Sequence, residues 1–238
     1  MMAHSLKRYG AKEVTAVLPF AAFARQDREF KNRFTSVAAE FFPRQLKAAG
    51  VDKVITVTPH SQAAMQFYKD EFGANFTALS TTELFAQDIK KRFGDITSVA
   101  IGAPDGADKP LDEGQIRAKE LVKAVFDGTV DDVDSKRFKI SKVHTGVSDT
   151  KITHFDGDVA GKDCVIVDDM IDGGSTMINA ASILKAKGAK SVTAYATHGI
   201  LSGSALEKIL SSKPDGMHPR YRQFGGYRHH SRSGTKSG

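Results

Sequence analysis

The run VIVDDMIDGGSTM at residues 165–177 concentrates more chemistry than any other stretch of the chain. An apolar segment ends at Asp168 and Asp169; Asp172, Gly173, Gly174, Ser175 and Thr176 follow, and then a helical pattern. That order builds an anion site largely from backbone. Glycines let the main chain approach a phosphate, successive N–H groups point at it, and a helix N-terminus adds favourable partial charge. Ser175 and Thr176 add hydroxyl donors, while the acid pair upstream suits ribose hydroxyls or a magnesium ion rather than phosphate. The Gly-Lys-Ser/Thr ending of a Walker A loop is absent. An acidic strand end followed by an ordinary Ser/Thr helix cap accounts for each residue singly and accounts poorly for the whole set.

Other apolar runs also end in polar, specific sequence. Residues 14–18 lead into PFAAFARQDREFKNR, 54–58 into PHSQ, and 98–102 into APDGAD. The basic stretch SKRFKISKVHTGVSD at 135–149 precedes the run that enters Asp168, and in isolation it reads as a solvated loop. His60 alone is more often a packed or capping histidine than a ligand.

The elements that must position these residues follow one pattern, repeated at LKRYGAKEVTAVLPF, LKAAGVDKVITVTPH and LKAKGAKSVTAYATHG. Each unit ends a helix, turns on Gly10, Gly50 or Gly188, and enters a strand; the glycine supplies a left-handed residue without a Cβ penalty. The strands at 14–18, 54–58, 98–102, 163–167 and 192–196 are nearly continuous apolar or β-branched runs, as expected for parallel strands buried on both faces. Helical patterns cover 34–49, 82–93, 115–126 and 176–187. Alternating helices and parallel strands predict an α/β architecture with ligands beyond the carboxyl ends of the strands. Two neighbouring copies of the unit and a distant third suit two similar domains, at 1–79 and 80–211, joined near residues 77–82.

Composition narrows the classes. The 238 residues include 34 Lys and Arg, 28 Asp and Glu, one Cys and no Trp, a net charge of +6. A lone Cys164 supports neither an internal disulfide nor a cysteine zinc site, which predicts a reducing, cytoplasmic setting. No apolar run reaches the length of a membrane helix, and the N-terminus lacks a signal-peptide core. Residues 213–238 carry six bases against Asp215 alone, so the remainder is nearly balanced at 28 bases to 27 acids. This tail, 212–238 with its boundary residue, has no apolar periodicity and is expected to be disordered. Nucleic-acid contact through Tyr221, Phe224 and Tyr227 among its arginines is the sharper but weaker reading.

The segment at 165–177 resembles the ribose-phosphate motif of the phosphoribosyltransferase superfamily. Ala-Arg-Gln-Asp-Arg at 24–28 resembles the ATP loop of the ribose-phosphate pyrophosphokinase family, and ITVTPHSQ, GAPDG and ATHGILSG match further stretches in the same order. The similarity spans residues 6–210. It implies two phosphoribosyltransferase-like domains with parallel sheets flanked by helices, the first incomplete, and transfer of the diphosphoryl group of ATP to C1 of ribose 5-phosphate. By resemblance, Arg25, Gln26 and Arg33 hold ATP, His60 and Asp105 bind Mg2+, and Asp168 and Asp169 serve ribose hydroxyls or a second metal. Residues Asp172, Gly173, Gly174, Ser175 and Thr176 cradle the 5-phosphate. Lys142, with Lys139 as substitute, is the catalytic cation on a mobile segment, and His144 stands where an arginine is expected. Homo-oligomers, dimers or hexamers, are implied as well.

The sequence departs from that pattern in places. Thr58 occupies the position of an acid in Asp-x-His, Gly173 that of a threonine, and extra residues lie between Asp105 and Ile116. The family's opening strands and its final strand and helix are expected to lie outside this sequence. Two further readings stay open: a phosphoribosyltransferase, which needs no ATP loop, and a non-catalytic homologue that binds ribose phosphates or nucleotides beside full-length subunits.

Overall fold

The computed structural model describes residues 1–29, 35–104, 113–128, 133–144 and 150–212, with the backbone alone at 141–144 and 150–154. Arg33, Asp105 and the tail at 213–238 lie outside the described residues. The chain opens with α1 (Met2–Arg8), β1 (Thr15–Leu18), α2 (Ala38–Ala48), β2 (Lys53–Val57), α3 (Gln62–Phe72) and β3 (Phe76–Leu79). It continues through α4 (Thr82–Arg92), β4 (Val99–Ala103), α5 (Glu113–Val125), β5 (Arg137–His144), β6 (Thr150–Asp156), β7 (Asp163–Ile171), α6 (Ser175–Ala186), β8 (Ser191–Gly199) and α7 (Ala205–Ser211).

These form two sheets, a three-stranded one ordered β1-β2-β3 and a five-stranded one ordered β6-β5-β4-β7-β8. The first is parallel throughout, pairing Val17 with Ile55 and Ile55 with Thr77. With the strand order advancing in one direction, crossovers of the usual right hand place α2 and α3 on the same face. There Phe42, Leu46, Tyr68 and Phe72 close over Val54, Ala16 and Phe76. The second sheet is covered on both faces. Phe85, Ala86, Ile89, Leu121 and Val122 of α4 and α5 pack on one side, and Ala180, Ala181 and Leu184 of α6 on the other. This explains why β4 is buried at every residue and why Val165, Ile166 and Val167 are buried in succession.

The three glycine stops take one geometry, with φ of 91° at Gly10, 90° at Gly50 and 87° at Gly188. In each, the glycine N–H bonds three residues back and the next N–H five residues back, as in Gly188 to Lys185 O and Ala189 to Leu184 O, both 3.0 Å. These are Schellman closures, which satisfy the last carbonyls of the helix.

Several details differ from expectation. Residues 137–144, expected to be mobile, form β5, whose alternate side chains Phe138 and Ile140 are buried while β4 bonds one of its edges. Its other partner, β6, runs antiparallel, so the second sheet is not purely parallel. Helix α2 begins at Ala38, four residues later than its apolar pattern predicts, and Thr58 lies beyond the end of β2.

Candidate active site

Parallel strands deliver their carboxyl ends to one edge, and both sheets bring those ends together. The Asp168–Asp169 pair lies on β7 and the Gly-Gly-Ser-Thr loop follows it. Asp168 is half-buried and Asp169 buried at 4% exposure. The Asp169 amide donates to Asp168 Oδ1 at 2.9 Å. From the first sheet, His60 Nδ1 meets Asp169 Oδ2 at 2.7 Å. Burial alone would raise the Asp169 pKa; the hydrogen bond from His60 and the charges of His60 and Arg117 overturn this and bring it down to about 2. Asp169 is therefore ionised, and the shared hydrogen belongs to His60 Nδ1. A carboxylate so placed fixes ring orientation and leaves Nε2 as the nitrogen for a ligand.

Arg117 on α5 completes the cluster. Its guanidinium lies 3.8 Å from Asp168 Oδ1 and 3.8 Å from Asp169 Oδ1, at 13% side-chain exposure. Sequence reading missed it, because 115–126 registered only as an amphipathic helix and nothing local ties Arg117 to acids fifty residues later.

The Gly-Gly-Ser-Thr loop leads straight into α6. Gly174 takes φ 78° at the N-cap of α6, and no side chain caps the helix. The first-turn amides thus keep their donors for an anion, and Gly173, Ser175 and Thr176 are exposed around them. A Cβ at Gly173 would meet open space, so the threonine seen in the resembling motif is not excluded by crowding. Asp172 accepts from Arg25 Nη1 at 2.7 Å, and the Ser202 hydroxyl and then Arg25 hold its carboxyl below the usual range. Its Oδ1 is enclosed with no hydrogen-bond partner. A buried, unpaired carboxylate oxygen is costly, and a ligand hydroxyl would satisfy it.

Arg25 reaches across from the loop after β1. That loop is anchored by Asp27, whose carboxylate accepts from Arg28 Nε at 2.8 Å and Nη2 at 3.1 Å. Burial raises the Asp27 pKa, and the bonds from Arg28 and Ser61 outweigh it, so the net shift is downward. Ser61 in turn caps α3 by accepting the Ala64 amide at 3.1 Å. Asp27 thereby fastens the loop bearing Arg25 and Gln26 to the turn bearing His60. It stood in the quoted ARQDR motif with no role assigned. Gln26 is exposed, and its backbone oxygen accepts from Ala39 N at 3.2 Å.

Lys142 and His144 lie on β5 opposite Ile152 and Thr150, with a register shift between Ser141 and Lys142; their side chains fall outside the described residues. Lys139 is half-buried on the same strand. Among the described residues no three His, Cys, Asp or Glu side chains gather as a metal cage. The oxygens closest to such a role are those of Asp168 and Asp169, and one or two carboxylates plus substrate phosphates are what magnesium ordinarily takes.

Comparison with known proteins gives the family. The family model for the N-terminal domain of ribose phosphate pyrophosphokinase matches residues 1–50, and that for the phosphoribosyl synthetase-associated domain matches residues 124–217. The ribose-phosphate pyrophosphokinase of Mesorhizobium japonicum is 36% identical over 213 residues, 90% of this chain and 62% of its own. That of Vibrio cholerae is 34% identical over 215 residues, with the same two shares. The crystal structure of phosphoribosylpyrophosphate synthetase from Mycobacterium smegmatis superimposes with a TM-score of 0.71 at 29% identity, covering 89% of this chain and 62% of that one. The chain thus spans about three-fifths of the length of these relatives. By ordered motifs, fold and sequence, it belongs to the ribose-phosphate pyrophosphokinase family.

Proposed function

We propose that the chain transfers the β,γ-diphosphoryl group of ATP to the C1 hydroxyl of ribose 5-phosphate, releasing AMP and phosphoribosyl diphosphate. The observation that carries this reading is the 2.7 Å contact between Arg25 of the nucleotide loop and Asp172 of the ribose-phosphate loop. Two loops of opposite purpose, one from each sheet, face each other at hydrogen-bond range. A phosphoribosyltransferase would have no use for the first of them.

In this reading the first-turn amides of α6, with Ser175 and Thr176, hold the 5-phosphate. Asp172 Oδ1 takes a ribose hydroxyl, which fixes the sugar's rotation about that phosphate. Arg25 and Gln26, with Arg33, hold the nucleotide phosphates, so Arg25 exchanges Asp172 for ATP. The C1 oxygen then attacks the β-phosphorus in line; the O–P bond forms, the bond from that phosphorus to the α-bridging oxygen breaks, and AMP leaves with those electrons. The hydroxyl proton passes to solvent. Such a transfer needs position and charge neutralisation more than covalent chemistry. Lys142, or Lys139 beside it, supplies the cation from the β5–β6 ribbon. The Asp168 and Asp169 oxygens would hold magnesium, with His60 Nε2 and Asp105 as direct or water-mediated contacts, and the ion would supply charge neutralisation on the diphosphate. The protein would work in the cytoplasm as a homo-oligomer.

Thr58, in place of an acid, favours one alternative: a homologue that binds ribose phosphate and nucleotide without turnover, alongside full-length subunits. ATP labelled at the β-phosphorus separates the readings. Label appearing in phosphoribosyl diphosphate, with unlabelled AMP, supports the proposal; label remaining in ATP despite saturation by both ligands supports the alternative.

A further inference from the structure

His198, which the reaction just described does not use, sits where three site segments meet. It lies on β8 directly opposite Met170, next to the acid pair of β7. Its Nε2 is 3.1 Å from Val57 O and 3.3 Å from Thr58 O. Both partners are carbonyls, which only accept, so Nε2 carries the hydrogen and shares it between them. The ring also stands edge-on to Phe20, 5.0 Å between centroids, at the start of the nucleotide loop.

The carbonyl it grips belongs to a strained residue. Thr58 has φ 38°, in the left-handed region where a β-branched side chain is a genuine outlier. Such a conformation persists only where its surroundings over-determine it. Here the Thr58 amide donates to Leu79 O at 2.8 Å, while its hydroxyl lies 3.5 Å from Thr81 Oγ1. Thr81 Oγ1 in turn lies 2.8 Å from Thr197 Oγ1, the neighbour of His198. Two residues after Thr58 comes His60, which closes the ring on Asp169. The path runs from β7 to β8, through His198 to the strained turn, and back through His60 to β7.

We propose that His198 is a positioning residue: by clasping the Val57 and Thr58 carbonyls it holds the turn in its left-handed form and thereby aims the His60 ring at Asp169. The clasp joins the strand ends of the two sheets at the place where their relative position matters to both substrates. Gln at position 198 could offer an amide N–H near the Nε2 position, whereas Ala could not. Thr58→Gly relieves the strain without loss of fold, since glycine accepts the angle, and leaves the carbonyls that His198 clasps in place.

The consequence for rate rests on the diphosphokinase reading; the consequence for His60 does not. The test therefore has two arms on the full chain. In the first, proton NMR follows the downfield Nδ1–H resonance of His60, assigned by its loss in His60→Gln and Asp169→Ala. It is expected in the wild type, in His198→Gln and in Thr58→Gly, and lost in His198→Ala, each with wild-type far-UV circular dichroism. A resonance that persists in His198→Ala, or that vanishes in Thr58→Gly, overturns the proposal. In the second, AMP formation should fall roughly tenfold to a hundredfold in kcat for His198→Ala, with KM for ribose 5-phosphate unchanged and partial rescue by Gln. A loss expressed in KM alone, or with no rescue, overturns it. A wild type that binds both ligands and forms no AMP sinks the diphosphokinase reading and leaves the first arm to decide the clasp.

Discussion

Asp169→Asn in the ligand-free chain offers a quantitative check on the charge cluster at the carboxyl end of β7. The side chain is 6% exposed, accepts from His60 at 2.7 Å and faces Arg117 at 3.8 Å. Its pKa falls from the ordinary 3.8 to about 2. Each tenfold change in the acid's ionisation equilibrium corresponds to about 1.4 kcal/mol, so the ionised form contributes about 2 kcal/mol to stability at neutral pH. Because the folded value lies below the unfolded one, that contribution is complete above the unfolded pKa and is lost as pH falls toward 2. About half should be gone by pH 3. Asparagine keeps the size and an acceptor for His60 but not the charge. Urea unfolding in a chelating buffer, followed by far-UV circular dichroism because the chain has no Trp, should show the variant less stable by about 2 kcal/mol between pH 7 and pH 5. The gap should close as the solution is acidified. A variant as stable as wild type at pH 7, or a gap that stays constant down to pH 3, refutes the coupling of His60, Arg117 and Asp169.

Other consequences follow from particular contacts. Asp172→Ala should weaken ribose 5-phosphate binding far more than ATP binding by calorimetry, and equal effects would contradict the role of its unpaired Oδ1. Gly102→Ala would drive a Cβ into the Phe138 carbonyl oxygen and ring. With β4 and β5 hydrogen-bonded there, the sheet must part, at a cost of about 1–3 kcal/mol or more in urea unfolding; an unchanged midpoint would contradict that close approach. Asp27→Asn removes the buried charge that receives Arg28, leaving the guanidinium a single neutral acceptor there, and should raise the Kd for ATP more than that for ribose 5-phosphate. Lys142→Ala should abolish turnover while Lys139→Ala spares it, measured as initial rates; the opposite pattern would move the catalytic cation to Lys139.

The framework was legible because its signals are local. Periodic apolar runs announced β1, β2, β4, β7 and β8, glycines at 10, 50 and 188 announced three helix stops, and the residues after each strand announced the site. Strand β5 was misjudged because its lysines and arginine outweighed, to the eye, the alternation of Phe138 and Ile140. What no local pattern carries is the pairing between sheets. Arg25 meets Asp172 across 147 positions, His60 meets Asp169 across 109, and His198 reaches Val57 across 141. Those contacts arise only once two sheets present their strand ends to one another. For the same reason Arg117 and Asp27 escaped notice. The angle at Thr58 escaped as well, since strain at a β-branched residue contradicts its own propensity and is imposed by tertiary partners.

The central claim is that nucleotide and ribose phosphate meet at these loops and react there. AMP release from ATP by the full chain, with magnesium present, tests it most directly. The account predicts AMP formation that depends strictly on ribose 5-phosphate, yields one phosphoribosyl diphosphate per AMP, and disappears in Lys142→Ala. Tight binding of both ligands by the wild type with no AMP formed would contradict it.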